Sequence, residues 1–470
     1  MLVLSVIDKD SACINRMSVG LAIEVVFPAK NGMNLQEEKW KMVKTTLGIS
    51  LTTFASLQWL FFIFANVVVV PISIGVAFDL SPTEIAAIQR SSFIFTGVAC
   101  MLQGFIGHRY PIMEGPSGVI WGLVLNLCSS ASSLGMSFPE IGGGIATGLL
   151  LAGAFTILLS ICNLFPLIHK VITPMVMSVY LFLLTFQLII IFFRGMLKIN
   201  EDGILDLPIT FYSFGIVIFV SLLNIVGNKI IGNFSILLGI VIGSIGYFFL
   251  FSTEAIDLSK TSSIHLFPLG QPNLELGIIA ITFLGCLINL SNTSASIVAI
   301  SKLYHEKPTN RQYKSSYLLT GIYAAIAPVF GLISYAPFAS SIGFLESTKI
   351  LIKKPFLIGG GLMILLGIIP ALGSLLATLP ITVGNAVLFV AYIQLFGTSL
   401  KSLNGYNFTS KTIFRLAIPV LVGVCIMTLD SELFSSFPIY LQPLIANGFI
   451  SGVLLSIMLE KLIHWEKIGD

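Results

Sequence analysis

The stretch Ala336-Pro-Phe-Ala-Ser-Ser-Ile-Gly-Phe-Leu-Glu-Ser-Thr-Lys349 decides how the chain is read. It lies deep in a hydrophobic sequence, yet it is a poor membrane helix. It opens with small residues and a proline, then offers two adjacent hydroxyls, a glycine and a carboxylate. Irregular backbone at membrane depth is tolerated only inside protein or beside a water-filled cavity. A pair of interrupted segments, one in each half of a chain, points to a transporter's binding site. The earlier half offers a counterpart in Tyr110-Pro-Ile-Met-Glu-Gly-Pro-Ser-Gly118.

The surrounding composition makes this a membrane problem. The chain has 470 residues, of which 56% are hydrophobic and 10% charged, with a mean hydropathy of +0.97. A soluble domain carries about 25% charged residues. On a criterion of about 20 apolar residues per span, fourteen segments are expected: 47–72, 85–106, 112–128, 141–165, 171–193, 208–227, 231–252, 275–301, 314–334, 338–350, 355–373, 381–397, 413–429 and 438–463. The third and tenth are short and interrupted. The fold class expected is an all-α polytopic membrane protein.

Charge placement supports this count. With the N-terminus inside, cations such as Lys170, Lys229, Lys302, Lys307, Arg311, Lys353, Lys354, Lys401 and Lys411 fall in cytoplasmic loops. Acids such as Asp79, Glu84, Glu140, Asp206, Asp430 and Glu432 fall outside. This is the positive-inside pattern, with both termini cytoplasmic. An internal echo adds to it. Pro174-Met-Val-Met-Ser178 leads to Gln187, and Pro380-Ile-Thr-Val-Gly384 leads to Gln394, seven spans later. An odd number of spans per repeat inverts the second copy, so two inverted seven-segment repeats are expected.

Glu114 is the acid that matters most, because ionisable groups at membrane depth are costly and therefore functional candidates. The competing reading, a solvated headgroup-level residue near Arg109, is weaker. Gly115, Ser117 and Gly118 would start a half-helix whose free N–H groups suit carbonyl oxygens or anions. Ser340, Ser341 and Gly343 take the matching place in the second half, although Ser is also an ordinary N-cap. Glu346 reads as a headgroup-level residue beside Lys349. Asn289, Asn292 and Ser296 interrupt the eighth span, either lining a cavity or joining helices. Gln187 and Gln394 read as helix–helix links. All five histidines, His108 included, fall near loops or ends, leaving none for proton relay inside the membrane. The six cysteines contain no Cys-x-x-Cys pair, and no metal or cofactor is expected. Hydrolase and P-loop signatures are missing, so an enzyme is not expected.

These motifs resemble the nucleobase–ascorbate transporter family, which includes bacterial uracil, xanthine and purine permeases. Its tenth-span signature, Gln/Glu-Asn-x-Gly-x-x-x-x-Thr-Arg/Lys, is similar to Ser340-Ser-Ile-Gly-Phe-Leu-Glu-Ser-Thr-Lys349. The third-span Gln-Gly-Pro-Ser appears as Glu114-Gly-Pro-Ser117, and the first-span Gln-His as Gln58-Trp59. The resemblance implies short strands in broken segments 3 and 10, meeting at the substrate. It implies a core domain over 45–170 and 275–374 and a gate domain over 171–274 and 375–470, while Lys39, Lys41 and Lys44 ahead of the first span make 1–44 a cytoplasmic extension.

The resemblance also places the substrate site at Glu114, Gly115, Ser117, Gly118, Asn292, Ser296, Ala339, Ser340, Ser341 and Gly343. The family's eighth-span glutamate falls at Asn292, its next acidic or histidine position at Ser296, and its tenth-span Glu/Gln at Ser340. Asn can donate and accept, which preserves base recognition, but it cannot carry a proton. Glu114 is therefore the proton-coupling candidate, expected to face the same cavity. The expected partners are a nucleobase, a coupling cation (proton ahead of sodium) and the lipid bilayer. No nucleic acid is expected, and a homodimer stays open. Alternatives are an anion carrier of the sulfate-permease type and a non-transporting membrane sensor.

Overall fold

The computed structural model describes residues 52–465, apart from 165–172, 200–203, 228–231, 233, 252–264, 349, 370–378, 404, 439 and 464. The expected extension 1–44, the loop cations Lys170 and Lys229, and Lys349 lie outside the described residues. So does the side chain of Gln394.

Among the described residues, fourteen helices carry the fold. In the first half they are α1 (Thr52–Ala77), α2 (Pro82–Phe105), α3 (Gly118–Ser129), α4 (Phe138–Ile161), α5 (Pro174–Met196), α6 (Leu207–Ile225) and α7 (Ser235–Leu250). In the second half they are α8 (Leu276–Leu303), α9 (Asn310–Ile326), α10 (Ser340–Thr348), α11 (Lys353–Ile368), α12 (Ile381–Lys401), α13 (Ser410–Thr428) and α14 (Gly448–Leu462). Two three-residue strands, β1 (Glu114–Pro116) and β2 (Tyr335–Pro337), precede α3 and α10. Among the described residues, seven helices are long and apolar enough to cross a bilayer unaided.

The strands pair antiparallel, with Glu114 opposite Pro337, Gly115 opposite Ala336 and Pro116 opposite Tyr335. The third and tenth segments therefore run in opposite directions where they meet, as an inverted repeat requires. Helix packing repeats the relation. Helix α2 packs on α11, and its symmetry counterpart α9 packs on α4. Both crossings run through glycine. A Cβ on Gly97 would stand 2.5 Å from the Gly360 carbonyl, and one on Gly153 2.7 Å from the Gly321 carbonyl. Small residues let membrane helices approach this closely. Helices α5–α7 and α12–α14 pack largely on one another.

Local sequence sets the helix starts. Ser81 with Glu84 at the head of α2, and Thr309 with Gln312 at the head of α9, form capping boxes at equivalent places. The ninth segment was expected to run to 334, but it ends at Ile326. Pro328 lacks an N–H, and Gly331 takes a left-handed φ of 71°. The fourteenth was expected from 438 and starts at Gly448, capped by Asn447. Burial differs sharply between regions. The apolar stretches of α1 and α8 are 67% buried, against 28% for α6 and 22% for α13. The last two leave most of their apolar surface uncovered by the other described residues.

Candidate functional site

The two chain breaks build the site. Ser117 caps α3, its hydroxyl accepting from the Ile120 N–H. The same hydroxyl donates to Asn289 Oδ1 on α8 at 2.8 Å. Asn289 Nδ2 reaches the Tyr335 carbonyl at 3.5 Å, and Asn292 Nδ2 donates to the Pro337 carbonyl at 3.0 Å. One face of α8 thus supports β2 and, through Ser117, the start of α3. Ser341 Oγ accepts from the Met113 N–H at 3.0 Å, and the Phe338 N–H donates to the Met113 carbonyl at 2.8 Å. The sheet is therefore extended by a residue beyond its three pairs.

The two half-helix starts differ. At α3 the N–H groups of Gly118 and Val119 have no intrahelical acceptor. At α10 the Ser341 and Ile342 N–H groups donate to the Phe338 and Ala339 carbonyls, so fewer donors remain for a guest. Gly118 lies under α5 and α12: a Cβ there would stand 3.3 Å from Leu188 Cδ1 and 3.6 Å from the Tyr392 hydroxyl. Gly343 faces open space, and Ser340 and Glu346 are exposed. Ser296, one turn beyond Asn292, is buried with an unpartnered hydroxyl. Gly115 is enclosed by Phe338 and Met113, and Ala339 is half-buried beside them.

Glu114 is fully buried, and neither carboxylate oxygen has a hydrogen-bond partner. No hydrogen bond joins it to Ser117, Asn292, Ser340 or Ser341. Its backbone N–H and carbonyl both engage Cys100 Sγ of α2, at 3.3 and 3.4 Å. Its Oε1 stands 3.7 Å from His108 Nε2.

His108 lies in the loop between α2 and β1, as its sequence position implies, but it is not solvated. It is 0% exposed. The cause is a turn that sequence does not advertise. Gly107 and Arg109 hydrogen-bond back to Leu102 and Gln103, and Arg109 adopts a φ of 66°. The chain between α2 and β1 so folds inward. One further residue carries no sequence signal, Tyr392, which lies over Gly118; Gln187, read as a helix–helix link, packs its amide on Gly122 with an unpartnered Oε1.

Comparison with known proteins agrees with this architecture. The Bacillus subtilis protein YwdJ, provisionally named a purine permease, is 28% identical over 88% of this chain and 96% of its own length. The uric acid transporter UacT of Escherichia coli is 24% identical over 94% of this chain and 92% of its own. The uric acid permease PucK of Bacillus subtilis is 22% identical over 87% and 95%. Among solved structures, the transmembrane domain of the cyanobacterial bicarbonate transporter BicA aligns with a TM-score of 0.61 at 14% identity, covering 82% of this chain and 97% of that one. The murine anion transporter Slc26a9, in its inward-facing state, aligns with a TM-score of 0.60 at 13% identity, covering 87% and 68%. Those two likenesses concern fold alone. The sequence profile of the Permease family, Xan_ur_permease, matches residues 51–432, and the chain belongs to that family, the nucleobase–ascorbate transporters.

Proposed function

We propose that this protein is a secondary transporter that imports a purine nucleobase together with a proton by alternating access. The observation that carries the reading is the antiparallel meeting of β1 and β2. It brings the free peptide donors at the start of α3 and the amides of Asn289 and Asn292 to one crossing point. A purine ring presents alternating donors and acceptors on its edge. Peptide N–H groups and a carboxamide, which both donates and accepts, suit that edge. The curated relatives are named for purines, uric acid and xanthine, which favours an oxopurine over a pyrimidine.

Alternating access would move a core of residues 45–170 and 275–374 against a gate of 171–274 and 375–470. The termini would be cytoplasmic, as the loop cations suggest. The core would carry the site, since α3, α8 and α10 all belong to it. The gate would cover and uncover it: α5 and α12 already lie over Gly118. Proton coupling falls to Glu114, because the eighth-span positions are Asn292 and Ser296 and hold no acid.

An anion carrier is the second reading, favoured by the fold shared with BicA and Slc26a9. Uptake of labelled xanthine into proteoliposomes separates the two. Excess uric acid should suppress uptake while sulfate and bicarbonate leave it unchanged. Suppression by the inorganic anions and none by purines would reverse the assignment.

A further inference from the structure

The pairing of His108 with Glu114 carries an inference beyond the proton-coupled reading of Glu114, on which it rests. His108 Nδ1 accepts a hydrogen bond from the Tyr110 backbone N–H at 3.1 Å. A nitrogen that accepts holds no proton, so the neutral ring carries its proton on Nε2. Nε2 is the atom that stands 3.7 Å from Glu114 Oε1. A second proton on Nδ1 would point at the Tyr110 N–H and break that contact. The ring is thus held as a neutral donor, aimed at a carboxyl group that nothing else satisfies.

Among the described residues, the other polar groups around the pair are engaged elsewhere, which leaves His108 as the donor nearest to Glu114. From α2 come the Cys100 thiol, which engages the Glu114 backbone, and Gln103, whose Nε2 donates to the Ser316 carbonyl. From α9, Tyr323 donates to the Ala99 carbonyl, and Gln312 donates to the His108 carbonyl. From β2, the Tyr335 hydroxyl engages Thr96 and Ser92. Tyr110 itself points its hydroxyl to Glu306 at 3.4 Å. Burial opposes a second proton on the His108 ring, and the Lys353 cation at the head of α11 adds to that.

We propose that Glu114 is a one-proton site whose ionised form is held by the Nε2–H of a permanently neutral His108. The step is a plain dissociation. The Glu114 O–H bond breaks, the proton passes to water, and the electron pair stays on the carboxylate. A charge-assisted N–H···O bond is about 2.7–2.9 Å long, so ionisation draws the two groups together by about 1 Å. Glu114 is the first residue of β1, and Ser117 at the head of α3 is three residues on. The movement therefore reaches the half-helix that offers donors to the substrate. His108 is a positioning residue in this scheme; it never carries the transported proton.

Infrared titration of the purified protein, without substrate, tests this directly. A protonated-carboxyl band should fade as pH rises, and Glu114→Gln should abolish it. Removing the donor disfavours the carboxylate, so the fading should move to higher pH in both His108→Ala and His108→Phe. The expected displacement is about one to two pH units, the size a charge-assisted hydrogen bond sustains. His108→Gln, which keeps a donor, should return it towards the wild-type position. An unchanged midpoint in His108→Ala and His108→Phe, or a wild-type band that survives Glu114→Gln, would overturn the inference. The readout needs no nucleobase, so a failure of purine uptake would strike the proposed function and leave this test intact.

Discussion

The β1–α3 and β2–α10 segments are topological counterparts, yet chemically they have little in common. Each starts with a three-residue strand and continues as a half-helix, and the strands pair with each other. The first is enclosed: Glu114 and Ser117 are buried, and Gly118 lies under Leu188 and Tyr392. The second is open on one side, with Ser340, Gly343 and Glu346 exposed. An acid sits in each. Glu114 is shut away behind its strand with a histidine, while Glu346 lies in the open. Symmetry of the repeat therefore fixes where the breaks fall, and side chains then divide the labour between them. One break takes the acid and the covering helices. The other offers an uncovered face.

Substitutions at matched positions can break or sharpen that contrast. The largest effect is expected at the acids. Glu114→Gln should reduce proton-driven accumulation of purine in proteoliposomes by more than about tenfold, a loss of over ~1.4 kcal/mol of coupling. Counterflow at equal pH should persist. Glu346→Gln should leave both assays unchanged. Undiminished accumulation in the Glu114 variant would remove the asymmetry at its root.

Next come the serines that tie the breaks together. Ser117→Ala loses a helix cap, worth about 1 kcal/mol, and leaves the buried Asn289 Oδ1 without its donor at about 1–3 kcal/mol more. Ser341→Ala removes the acceptor of one backbone N–H and should cost less. Thermal unfolding of the two purified variants gives the ranking, and the reverse order would contradict it. Gly118→Val pushes into Leu188 and Tyr392, an overpacking of about 1–3 kcal/mol, visible as a lowered melting temperature and slowed transport. The smallest effect belongs to Gly343→Ala. Its new methyl meets nothing within 4 Å, and replacing a helical glycine stabilises by up to about 1 kcal/mol. A marked loss of stability there would mean that the α10 face is covered after all.

The division between what was legible and what was not follows the range of the interactions. Apolar runs, capping residues and loop charges are local, and they were enough for the fourteen segments, the two breaks and the inverted plan. Pro111, Pro116 and Pro337 cannot sit in regular helix, so the interruptions announced themselves. The polar residues of α8 were also legible as a group, since Asn289, Asn292 and Ser296 break an apolar helix on recurring turns.

What sequence alone determined, then, is the kind of molecule, where its backbone gives way, and which acid is out of place in a bilayer. Only the tertiary structure decided what each group faces. His108 lies next to Arg109 in a stretch that reads as a loop, and it is buried 3.7 Å from Glu114 because a left-handed turn folds it inward. Asn289 meets Ser117 across 172 residues, and Tyr392 comes over Gly118 from another helix. Contacts of that kind depend on the directions of packed helices in three dimensions. No periodicity within one segment encodes them.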